Sequence, residues 1–303
     1  MNITRSIPYR YLVRLINRLS PKLTARLRFR KIFHRRLHLK NPQDLNEKIL
    51  HLSLLSDTSE WTRLADKYLV RKYVKDRGLE SILVKLYGKW NSVEDINWDK
   101  LPHSFVMKTN NGCGTVLIVQ DKSKLDTSAT KKELDSWLHK DIWGETAEFH
   151  YKKIKPCIIA EELLVLSDED REISESIIDY KIWCFNGRPY SFLVCSNRTE
   201  DAVELSSYDL NWSYHPEHSV FGKEHLRRKK GIPRPKLLEE MKNVASKLSE
   251  GFPEVRVDLY YVNNKIYFGE MTFTSLGGTM NYYTSEYLLE MGQQIDLVNV
   301  KYK

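Results

Sequence analysis

Two carboxylates and an arginine lie on a short predicted hairpin near the end of the chain, residues 255–273, which read VRVDLYYVNNKIYFGEMTF. Side chains alternate between the two faces of a strand, so Arg256 and Asp258 share a face on the first strand. Glu270 and Thr272 share a face on the second strand for the same reason. Residues of these types can bind a divalent cation together with phosphate groups.

The length of the turn decides whether the two carboxylates face each other. A two-residue Asn-Asn turn would pair Asp258 with residue 269 and put Glu270 on the opposite face. A three-residue loop, residues 263–265, pairs Asp258 with Glu270 and Arg256 with Thr272. We predict the three-residue loop, because asparagine tolerates the left-handed backbone conformation that such loops require.

Two carboxylates directly opposite each other are unfavourable unless a cation lies between them. One interpretation is a magnesium site, since Mg²⁺ prefers oxygen ligands and binds one or two carboxylates together with substrate phosphates. Arg256 could then contact a phosphate. The alternative is a structural ion cluster in which Arg256 alone neutralises both acids.

A second set of residues suited to phosphate binding lies in SFVMKTNNGCGTVLIVQ, residues 104–120. Lys108 ends a predicted strand, and the small-residue loop that follows allows backbone N–H groups to approach phosphate oxygens closely. The pattern GxxxxGK[ST] is absent and a strand follows the loop, so this is not a Walker P-loop. Cys113 in the loop is not expected to be a nucleophile, because no histidine lies near it in the sequence.

Two further stretches carry charge where a strand is predicted. Glu161 and Glu162 end the run IIAEELL, where a hinge could contact adenine and ribose or the two acids could simply be solvated. Lys181 lies among apolar residues in DYKIWCF, where an unpaired lysine is costly, so it requires an anion. The nine histidines show no spacing typical of metal ligands.

Short helices and strands must position these residues. Helices are predicted to begin at Pro8 and Pro21 and after Asn41-Pro42, and others to span about residues 60–77, 130–151 and 233–252. Strands are predicted at SILVKLY, SFVMKTN, TVLIVQ and CIIAEELLVL. Asn186-Gly187 suits the type I′ turn of a hairpin between IIDYKIWCF and RPYSFLVCS. This mixture predicts an α/β and α+β body.

The charge of the chain is concentrated at its N-terminus. The first 40 residues contain 12 Lys and Arg and no Asp or Glu, whereas the other 263 contain 36 Lys and Arg against 40 Asp and Glu. Apolar runs are too short to span a bilayer, no secretory signal is visible, and the four cysteines form no CxxC pair. A reduced, soluble, cytoplasmic protein is expected.

The basic N-terminal segment has a helical pattern. Basic residues recur at every fourth position from Arg10 to Arg26, and leucines and an isoleucine lie between them. Such a segment can lie on an anionic membrane surface or hold an acidic polymer. Alternatively, its leucines pack on the body and its arginines are solvated. A nucleic-acid partner is not expected, because the body carries no basic surface with interleaved aromatic residues.

Taken in order, these motifs resemble the TupA-like branch of the ATP-grasp enzymes, which is named for teichuronopeptide synthesis. The resemblance rests on NPQDLNEKILHL, LADKYLVRKYV, VMKTNNGCGT, DYKIWCFNGRP and FGEMTFTSLGG, within residues 41–283. Thr272 departs from the family pattern, which usually has asparagine there. Asn46, Glu47 and Lys48, and Asp66, Lys67 and Arg71, belong to the N-terminal motifs; they could contact an acceptor or join the lobes, although a solvated helix surface is expected for such charges.

The resemblance implies an ATP-grasp fold in which two α+β lobes clasp ATP, with a small N-terminal α/β domain. The corresponding division is a basic helical tail (1–40), an N-terminal domain (41–100), a small lobe with the glycine loop (101–165) and a large lobe with the magnesium and phosphate site (166–303).

The resemblance also implies roles for individual residues. Lys108 and Lys181 would hold ATP phosphates, and Arg256 would stabilise the transferred phosphoryl group, so that its removal should cost rate with little loss of folding. Three sets complete the site: Gly112, Gly114, Thr115, Glu161 and Glu162 for the nucleotide; Asp258, Glu270 and Thr272 for Mg²⁺; and Ser275, Gly277, Gly278 and Arg198 for the substrate.

The implied reaction is an ATP- and Mg²⁺-dependent ligation of a carboxylate to an amine through an acyl phosphate. The expected substrates are a uronic-acid saccharide and an amino acid or other amine, in capsule or cell-surface polysaccharide synthesis at the inner membrane face. Two alternatives stay open: an ATP-grasp kinase that phosphorylates a saccharide hydroxyl, and a non-catalytic protein that docks on polysaccharide or membrane.

Overall fold

The computed structural model describes residues 7–112, 114–141, 143–144, 146–298 and 300–303, so Cys113 and the first six residues of the basic tail lie outside it. The described residues form two compact units. The first unit draws on Met1–Thr58, Gly144–Glu148 and Leu166–Lys303, and the second on Ser59–Trp143 and Phe149–Val165. The division into four domains stays a prediction.

Helices and strands are mixed along the described residues, as the sequence predicts. The helices of the described residues are α1 (Ile7–Leu19), α2 (Pro21–Phe33), α3 (Leu45–Leu55), α4 (Ser59–Ala65), α5 (Val70–Asp76), α6 (Thr127–Leu138), α7 (Phe149–Lys152), α8 (Asp168–Ile173), α9 (Leu238–Ser249) and α10 (Ser285–Gln293). Each described helix is too short or too polar to cross a bilayer.

A six-stranded sheet forms the centre of the first unit. Its strands are β5 (Asp179–Phe185), β6 (Arg188–Ser196), β7 (Val203–Tyr208), β8 (His225–Arg227), β9 (Glu254–Val262) and β10 (Lys265–Thr272), in the order β10-β9-β5-β6-β7-β8. All neighbours are antiparallel except β7 and β8. The predicted hairpin between β5 and β6 is confirmed, with positive φ at both Asn186 and Gly187.

The two faces of this sheet are covered differently. Helix α9 packs on one face, where Cys184 Sγ lies 3.9 Å from the carbonyl oxygen of Ala245. Trp183 and Phe185 alternate with Cys184, so they point to the other face and join the apolar cluster that includes Met291 of α10. Helix α3 packs against α10 in the same unit. The first unit therefore has a deep core on the sheet face away from α9.

A four-stranded antiparallel sheet forms the centre of the second unit. Its strands are β1 (Leu86–Trp90), β2 (Phe105–Thr109), β3 (Val116–Val119) and β4 (Ile158–Glu161), in the order β1-β4-β2-β3. Helix α6 covers β2, and Phe105, Met107 and Leu134 share one core. Lys108 and Thr109 end β2, so the glycine loop begins at the edge of this core.

Two long helices predicted from the sequence are broken in the structure. The region 60–77 forms α4 and α5 because the Asp66 carboxylate accepts the backbone N–H groups of Tyr68 and Leu69, which then leave the helical ladder. The region 130–151 forms α6, a turn and α7, and α6 begins earlier, at Thr127. Asp126 caps α6 by accepting the N–H of Ala129.

The helices at the N-terminus agree with their proline signals. Pro21 is the first residue of α2, and the Ser20 hydroxyl accepts the N–H of Leu23 as its N-cap. Helix α3 begins at Leu45 rather than at Asn41-Pro42, because the Asp44 carboxylate caps it through the N–H of Glu47. A side-chain acceptor thus decides where these helices begin.

Candidate functional site

Three neighbouring strands of the six-stranded sheet carry the predicted metal and phosphate residues on one face. Lys181 of β5 lies opposite Asp258 of β9, and Asp258 lies opposite Glu270 of β10. Arg256 lies opposite Thr272 on the same pair of strands. The predicted pairings of Asp258 with Glu270 and of Arg256 with Thr272 are therefore confirmed.

The turn that joins β9 and β10 differs from the predicted three-residue loop. Val262 pairs with Lys265, so only Asn263 and Asn264 lie in the turn. Both asparagines have positive φ, 51° and 59°, as a type I′ turn requires. The predicted loop length is wrong, because asparagine tolerates this conformation in a two-residue turn equally well.

A β-bulge at Gly269 supplies the offset that the loop was expected to give. The register shifts between Phe268 and Glu270, so Gly269 has no residue opposite it on β9. A Cβ at Gly269 would lie 3.0 Å from the backbone oxygen of Asp258 and 3.3 Å from the Tyr260 ring. Glycine therefore permits the bulge, and the bulge brings Glu270 to the face of Asp258.

Arg256 and Lys181 hold the Asp258 carboxylate from two sides. Arg256 donates Nε to Oδ1 and Nη2 to Oδ2, each at 2.7 Å, and Lys181 Nζ lies 2.6 Å from Oδ2. Arg256 also donates to the hydroxyls of Thr272 (3.2 Å) and Ser275. Because the Asp258 side chain is only 2% exposed, these charge-assisted bonds act at low dielectric and fix the arrangement firmly.

Glu270 is the most accessible carboxylate of this group. Its Oε1 accepts the Thr272 hydroxyl at 3.1 Å and lies 3.7 Å from Arg256 Nη2, and 39% of its side chain is exposed. Arg256 therefore approaches both acids, as the structural-cluster alternative expects. Removal of Arg256 should consequently cost stability, contrary to the sequence expectation of little loss of folding, because the guanidinium is buried and multiply bonded.

The two cations of the group stay charged. Burial opposes the charge of Lys181, but Asp179 and Asp258 outweigh it and raise the pKa of Lys181. Burial likewise opposes the charge of Arg256, and Asp258 raises the pKa of Arg256 well above its usual value. Burial raises the pKa of Asp258, and Arg256 and Lys181 partly offset that rise. The carboxyl group of fully buried Glu254 has no hydrogen-bond partner among the described residues, and burial raises its pKa well above the usual value, which Arg256 offsets only in part.

Asp179 completes the group, although no role for it was predicted from the sequence. Its Oδ2 lies 2.5 Å from Lys181 Nζ and 3.8 Å from Nη2 of half-exposed Arg198. The spacing of Asp179 and Lys181 in DYK puts both on one strand face, which was the available signal. We call Asp179, Lys181, Arg256, Asp258 and Glu270 the large-sheet cluster.

The large-sheet cluster fits a magnesium ion. Its potential ligands are oxygen atoms, which Mg²⁺ prefers. Asp179 Oδ1 is buried and has no hydrogen-bond partner among the described residues, so one oxygen is uncommitted. Glu270 is accessible, and Asp258 Oδ1 retains a second lone pair beside its bond to Arg256, whereas Oδ2 accepts from both Arg256 and Lys181. The Thr272 hydroxyl already accepts from Arg256 and donates to Glu270.

The Ser275–Gly277 turn follows β10 and is tightly built. Leu276, Gly277 and Gly278 have positive φ (47°, 62° and 69°). The N–H groups of Gly277 and Gly278 donate to the carbonyls of Thr274 and Ser275, so these two donors are already used within the turn. The Ser275 hydroxyl is buried between Arg256 and Tyr282.

Helix α2 supports this turn from the basic segment. Arg28 Nη2 donates to the carbonyl of Leu276 at 2.9 Å, and a Cβ at Gly277 would lie 2.6 Å from Arg28 Nη1. Buried Glu148 accepts the Thr274 hydroxyl, and burial raises the pKa of Glu148. Part of the basic segment therefore shapes the predicted substrate turn.

A second group of charges, the small-sheet cluster, consists of Arg71, Lys108 and Glu161 in the second unit. Lys108 Nζ lies 2.6 Å from Glu161 Oε2, and Arg71 Nη1 lies 2.9 Å from Glu161 Oε1. Glu161 pairs with Val106 and is diagonal to Lys108 across the β2–β4 ladder, which explains the contact. The predicted hinge acid is thus bound by two cations, whereas Glu162 is half-buried and donates its N–H to the carbonyl of Lys85.

The glycine loop is anchored at its first residue. The Asn110 amide donates to Asp66 Oδ2 at 2.7 Å and accepts the N–H of Cys157 at the same distance. Lys67 Nζ donates to the carbonyl of Gly112 at 2.5 Å. Beyond the glycines, the hydroxyl of Thr115 bonds to that of Thr109, at 2.7 Å. Gly114 has a φ of 70° and open space around its missing Cβ.

None of the six N-terminal motif residues is exposed, since Asn46, Glu47 and Asp66 are buried and the other three are partly buried, so the expected solvated helix surface is wrong for them. Asp66 anchors the glycine loop and Arg71 belongs to the small-sheet cluster. In the first unit, the Asn46 side chain is fully buried and bonds to both the N–H and the carbonyl of Met280. Lys48 Nζ donates to the carbonyl of Ile295 at 2.8 Å. Their types alone could not distinguish burial from exposure.

One histidine pair has ligand spacing, contrary to the sequence analysis. The acceptor atoms of His215, Glu217 and His218 lie within 4.8 Å of one another. The two imidazoles are stacked, however, with ring centroids 4.7 Å apart and an interplanar angle of 7°, and His218 also stacks on Tyr287. Parallel rings hold their lone pairs in separate planes, so this stack cannot chelate one metal ion without rotating a ring.

Comparisons with known proteins give one family. A family model described as "TupA-like ATPgrasp" matches residues 47–296. No curated protein matches the chain.

Several solved structures are similar. D-alanine–D-alanine ligase from Bacillus anthracis is 16% identical, with 84% of this chain and 75% of that chain covered and a TM-score of 0.46. Phosphoribosylamine–glycine ligase from Thermotoga maritima is 14% identical, with 70% of this chain and 48% of that chain covered and a TM-score of 0.40. N5-carboxyaminoimidazole synthase from Aspergillus clavatus is 8% identical, with 78% of this chain and 54% of that chain covered and a TM-score of 0.43. The chain spans about half the length of the last two.

Proposed function

The chain belongs to the TupA-like ATP-grasp family and has the ATP-grasp fold, and we propose that it is an ATP-dependent ligase that joins a carboxylate to an amine through an acyl phosphate. The family resemblance and fold class predicted from the motifs are confirmed. In the proposed reaction the γ-phosphoryl group of ATP passes to a carboxylate oxygen and ADP is released. The amine then attacks the acyl carbon, loses a proton and expels phosphate.

The large-sheet cluster is the observation that carries this proposal. Asp258 and Glu270, with Thr272 beside them, would hold Mg²⁺, which when bound neutralises phosphate charge. Lys181 and Arg256 would bind phosphate oxygens and the transferred group, because both are fixed cations in a desolvated site. Phosphoryl transfer depends mainly on such positioning and charge neutralisation.

The small-sheet cluster supports a nucleotide role for the second unit. Its two cations share one carboxylate, so positive charge is left over for an anion. Lys108 would bind phosphate, and Gly112, Gly114 and Thr115 would let the loop approach it. Glu161 would orient Lys108, and Glu162, half-buried at the strand end, would contact the adenine or ribose.

The acid and amine are proposed by chemical class. A uronic-acid saccharide and an amino acid or other amine follow from the resemblance, in capsule or cell-surface polysaccharide synthesis. Half-exposed Arg198 beside Asp179 would contact the anionic substrate, and Ser275, Gly277 and Gly278 would shape its site. The proposed location is the cytoplasm, at the inner membrane face.

The test is ADP release from Mg-ATP with a uronic-acid saccharide, with and without a mixture of amino acids. Asp258→Asn removes a cluster charge, and Asp201→Asn, at an exposed position, is the matched control. Amine-dependent ADP release that Asp258→Asn abolishes and Asp201→Asn preserves is expected, and mass spectrometry then identifies the amide.

Two results would contradict the ligase proposal. ADP release that needs only the saccharide and yields a stable phosphorylated product indicates a kinase. Absence of both turnover and Mg-ATP binding in the wild-type protein indicates a non-catalytic docking protein. Thermal unfolding of Asp258→Asn, together with assay of the more exposed Glu270→Gln, distinguishes lost chemistry from lost folding.

A further inference from the structure

The apolar residues of the basic N-terminal segment face outward. Six large apolar side chains of α1 and α2 are exposed, by 44% to 78%: Tyr11, Leu12, Leu15, Leu19, Leu23 and Leu27. The alternative that the leucines pack on the body is therefore wrong for these residues. Exposed leucines are unremarkable singly, but six exposed large apolar residues on two consecutive helices require an explanation.

Other residues attach the two helices to the first unit. Asn17 is fully buried and donates to the carbonyl of Thr146 at 2.9 Å. Thr24, Ala25 and Phe29 are buried on the inner side of α2, and Ala25 and Phe29 belong to an apolar cluster with Leu50 and Leu54 of α3. The outward leucines are thus not needed to hold these helices in place.

Exposed cations border the leucines. On α2, Lys22, Arg26 and Arg30 recur every fourth residue on the same solvent side as Leu23 and Leu27. The first 40 residues contain no Asp or Glu to balance them. An occupant of this surface must therefore be both apolar and negatively charged.

We propose that the outer face of α1 and α2 docks on the surface of an anionic phospholipid bilayer. The leucines enter the boundary between headgroups and acyl chains, and the arginines and lysines contact lipid phosphates. A second copy of the chain fits less well, because two such faces would bring like charges together. Docking supplies a surface for the proposed location at the inner membrane face and does not depend on the proposed ligation.

Vesicle co-sedimentation of the full chain tests this proposal. Phosphatidylcholine vesicles are compared with vesicles that also contain phosphatidylglycerol, at low and high salt. Strong binding to the anionic vesicles alone, weakened by salt, is expected, because the charge contribution is screened. The triple variant L15S/L19S/L23S should lose about tenfold or more of that binding.

Matched variants keep the test independent of folding and of catalysis. L226S/L289S alters two leucines of similar exposure elsewhere in the first unit and should bind as wild type does. The variant R18Q/K22Q/R26Q should lose the salt-sensitive part of binding. Circular dichroism and ADP release in solution should be unchanged in all three.

Three results would overturn the proposal. They are no binding to anionic vesicles, undiminished binding by the leucine variant, and equal binding to neutral vesicles. A wild-type dimer in light scattering that becomes monomeric in the leucine variant would instead identify the face as a contact between copies. None of these results bears on ADP release, so they leave the ligase proposal standing.

Discussion

The large-sheet cluster has more carboxylates than buried cations, whereas the small-sheet cluster has more cations than carboxylates. In the first, Asp179, Asp258 and Glu270 face Lys181 and Arg256; in the second, Glu161 alone faces Arg71 and Lys108. The first balance favours an added cation such as Mg²⁺, and the second favours an added anion such as phosphate. The two sheets therefore differ in the sign of the charged ligand that each one favours.

The clusters also differ in how much each charge depends on one partner. Loss of Arg256 would leave three carboxylates with one buried cation, and the Arg256 side chain is only 8% exposed. Loss of Lys108, which is 21% exposed, would leave Glu161 paired with Arg71. The large-sheet cluster should therefore couple activity to stability, and the small-sheet cluster should separate them.

The largest expected effect is that of Arg256→Gln. We expect the free energy of unfolding to fall by about 3–5 kcal/mol, because buried carboxylates lose their main partner. ADP release should fall by about 100-fold or more, because a donor to the transferred group is lost. Denaturant unfolding and ADP release measure both, with Arg188→Gln at an exposed position as the control. A stability loss as small as that of the control would contradict the prediction that the large-sheet cluster couples activity to stability.

Acid should weaken the second unit through His150. Both ring nitrogens are buried without a hydrogen-bond partner among the described residues, and burial lowers the pKa of His150 to about 3. The unfolded chain takes up this proton near pH 6.5, so the stability present above that pH is lost as pH falls towards 3. At pH 5 the loss should be about 2 kcal/mol.

His150→Phe supplies the control for that measurement. It keeps an aromatic ring near Trp61, which the His150 ring approaches edge-on at 5.8 Å, and it removes the titrating group. Hydrogen exchange at pH 7 and pH 5 should show that the second unit opens more readily at pH 5 in wild type only. Equal acid sensitivity of both proteins would assign the effect to another group.

Gly269→Ala tests whether the bulge maintains the large-sheet cluster. The added Cβ would meet the Asp258 backbone oxygen at 3.0 Å, so we expect a loss of about 1–3 kcal/mol and lower ADP release. Gly222→Ala is the matched control, since Gly222 has no positive φ and open space around its Cβ. Unchanged ADP release by Gly269→Ala would mean that activity does not depend on the strand register of Glu270.

Lys108→Gln should have the smallest effect on stability. We expect about 1 kcal/mol or less, because Glu161 keeps Arg71. The KM for ATP should rise by about 10- to 100-fold, as for loss of one charge-assisted hydrogen bond to phosphate. Lys100→Gln, at an exposed position of the same unit, is the control. A stability loss equal to that of Arg256→Gln would show that stability depends as strongly on Lys108 as on Arg256, contrary to the proposed difference between the clusters.

Strand alternation predicted which side chains share a face, whereas the pairing of Asp258 with Glu270 was predicted from a three-residue loop and arises from a two-residue turn and a bulge. The strand face shared by Arg256 and Asp258 and the Asn-Gly turn at residues 186–187 are local properties, so they could be derived residue by residue. The bulge at Gly269 could not, because it depends on the fit of Asp258 and Tyr260 around a missing side chain.

The predictions of helix ends and site contacts failed where they depend on residues that are distant in the sequence. Asp66 breaks a helix that periodicity extends through it, and it does so while bound to Asn110, 44 residues away. Asp179, Lys67 and Arg71 have ordinary surface types, and only the tertiary structure brings them to a site. The spacing of residues in the sequence was sufficient to find the motifs, whereas the contacts of their side chains could be found only in the folded structure.

The bonds of Asn46 to Met280 and of Lys48 to Ile295 have a consequence for synthesis of the chain. They join residues separated by 234 and 247 positions, so the face of α3 that makes these contacts cannot complete its packing until residues 280–295 have been synthesised. Leu45 and Ile49, fully buried in the finished protein, would stay exposed to the ribosome exit environment during that interval. Such distant contacts slow folding and prolong exposure to aggregation and to chaperones, and deletion of residues beyond 280 should leave Leu45 and Ile49 of α3 without part of their core.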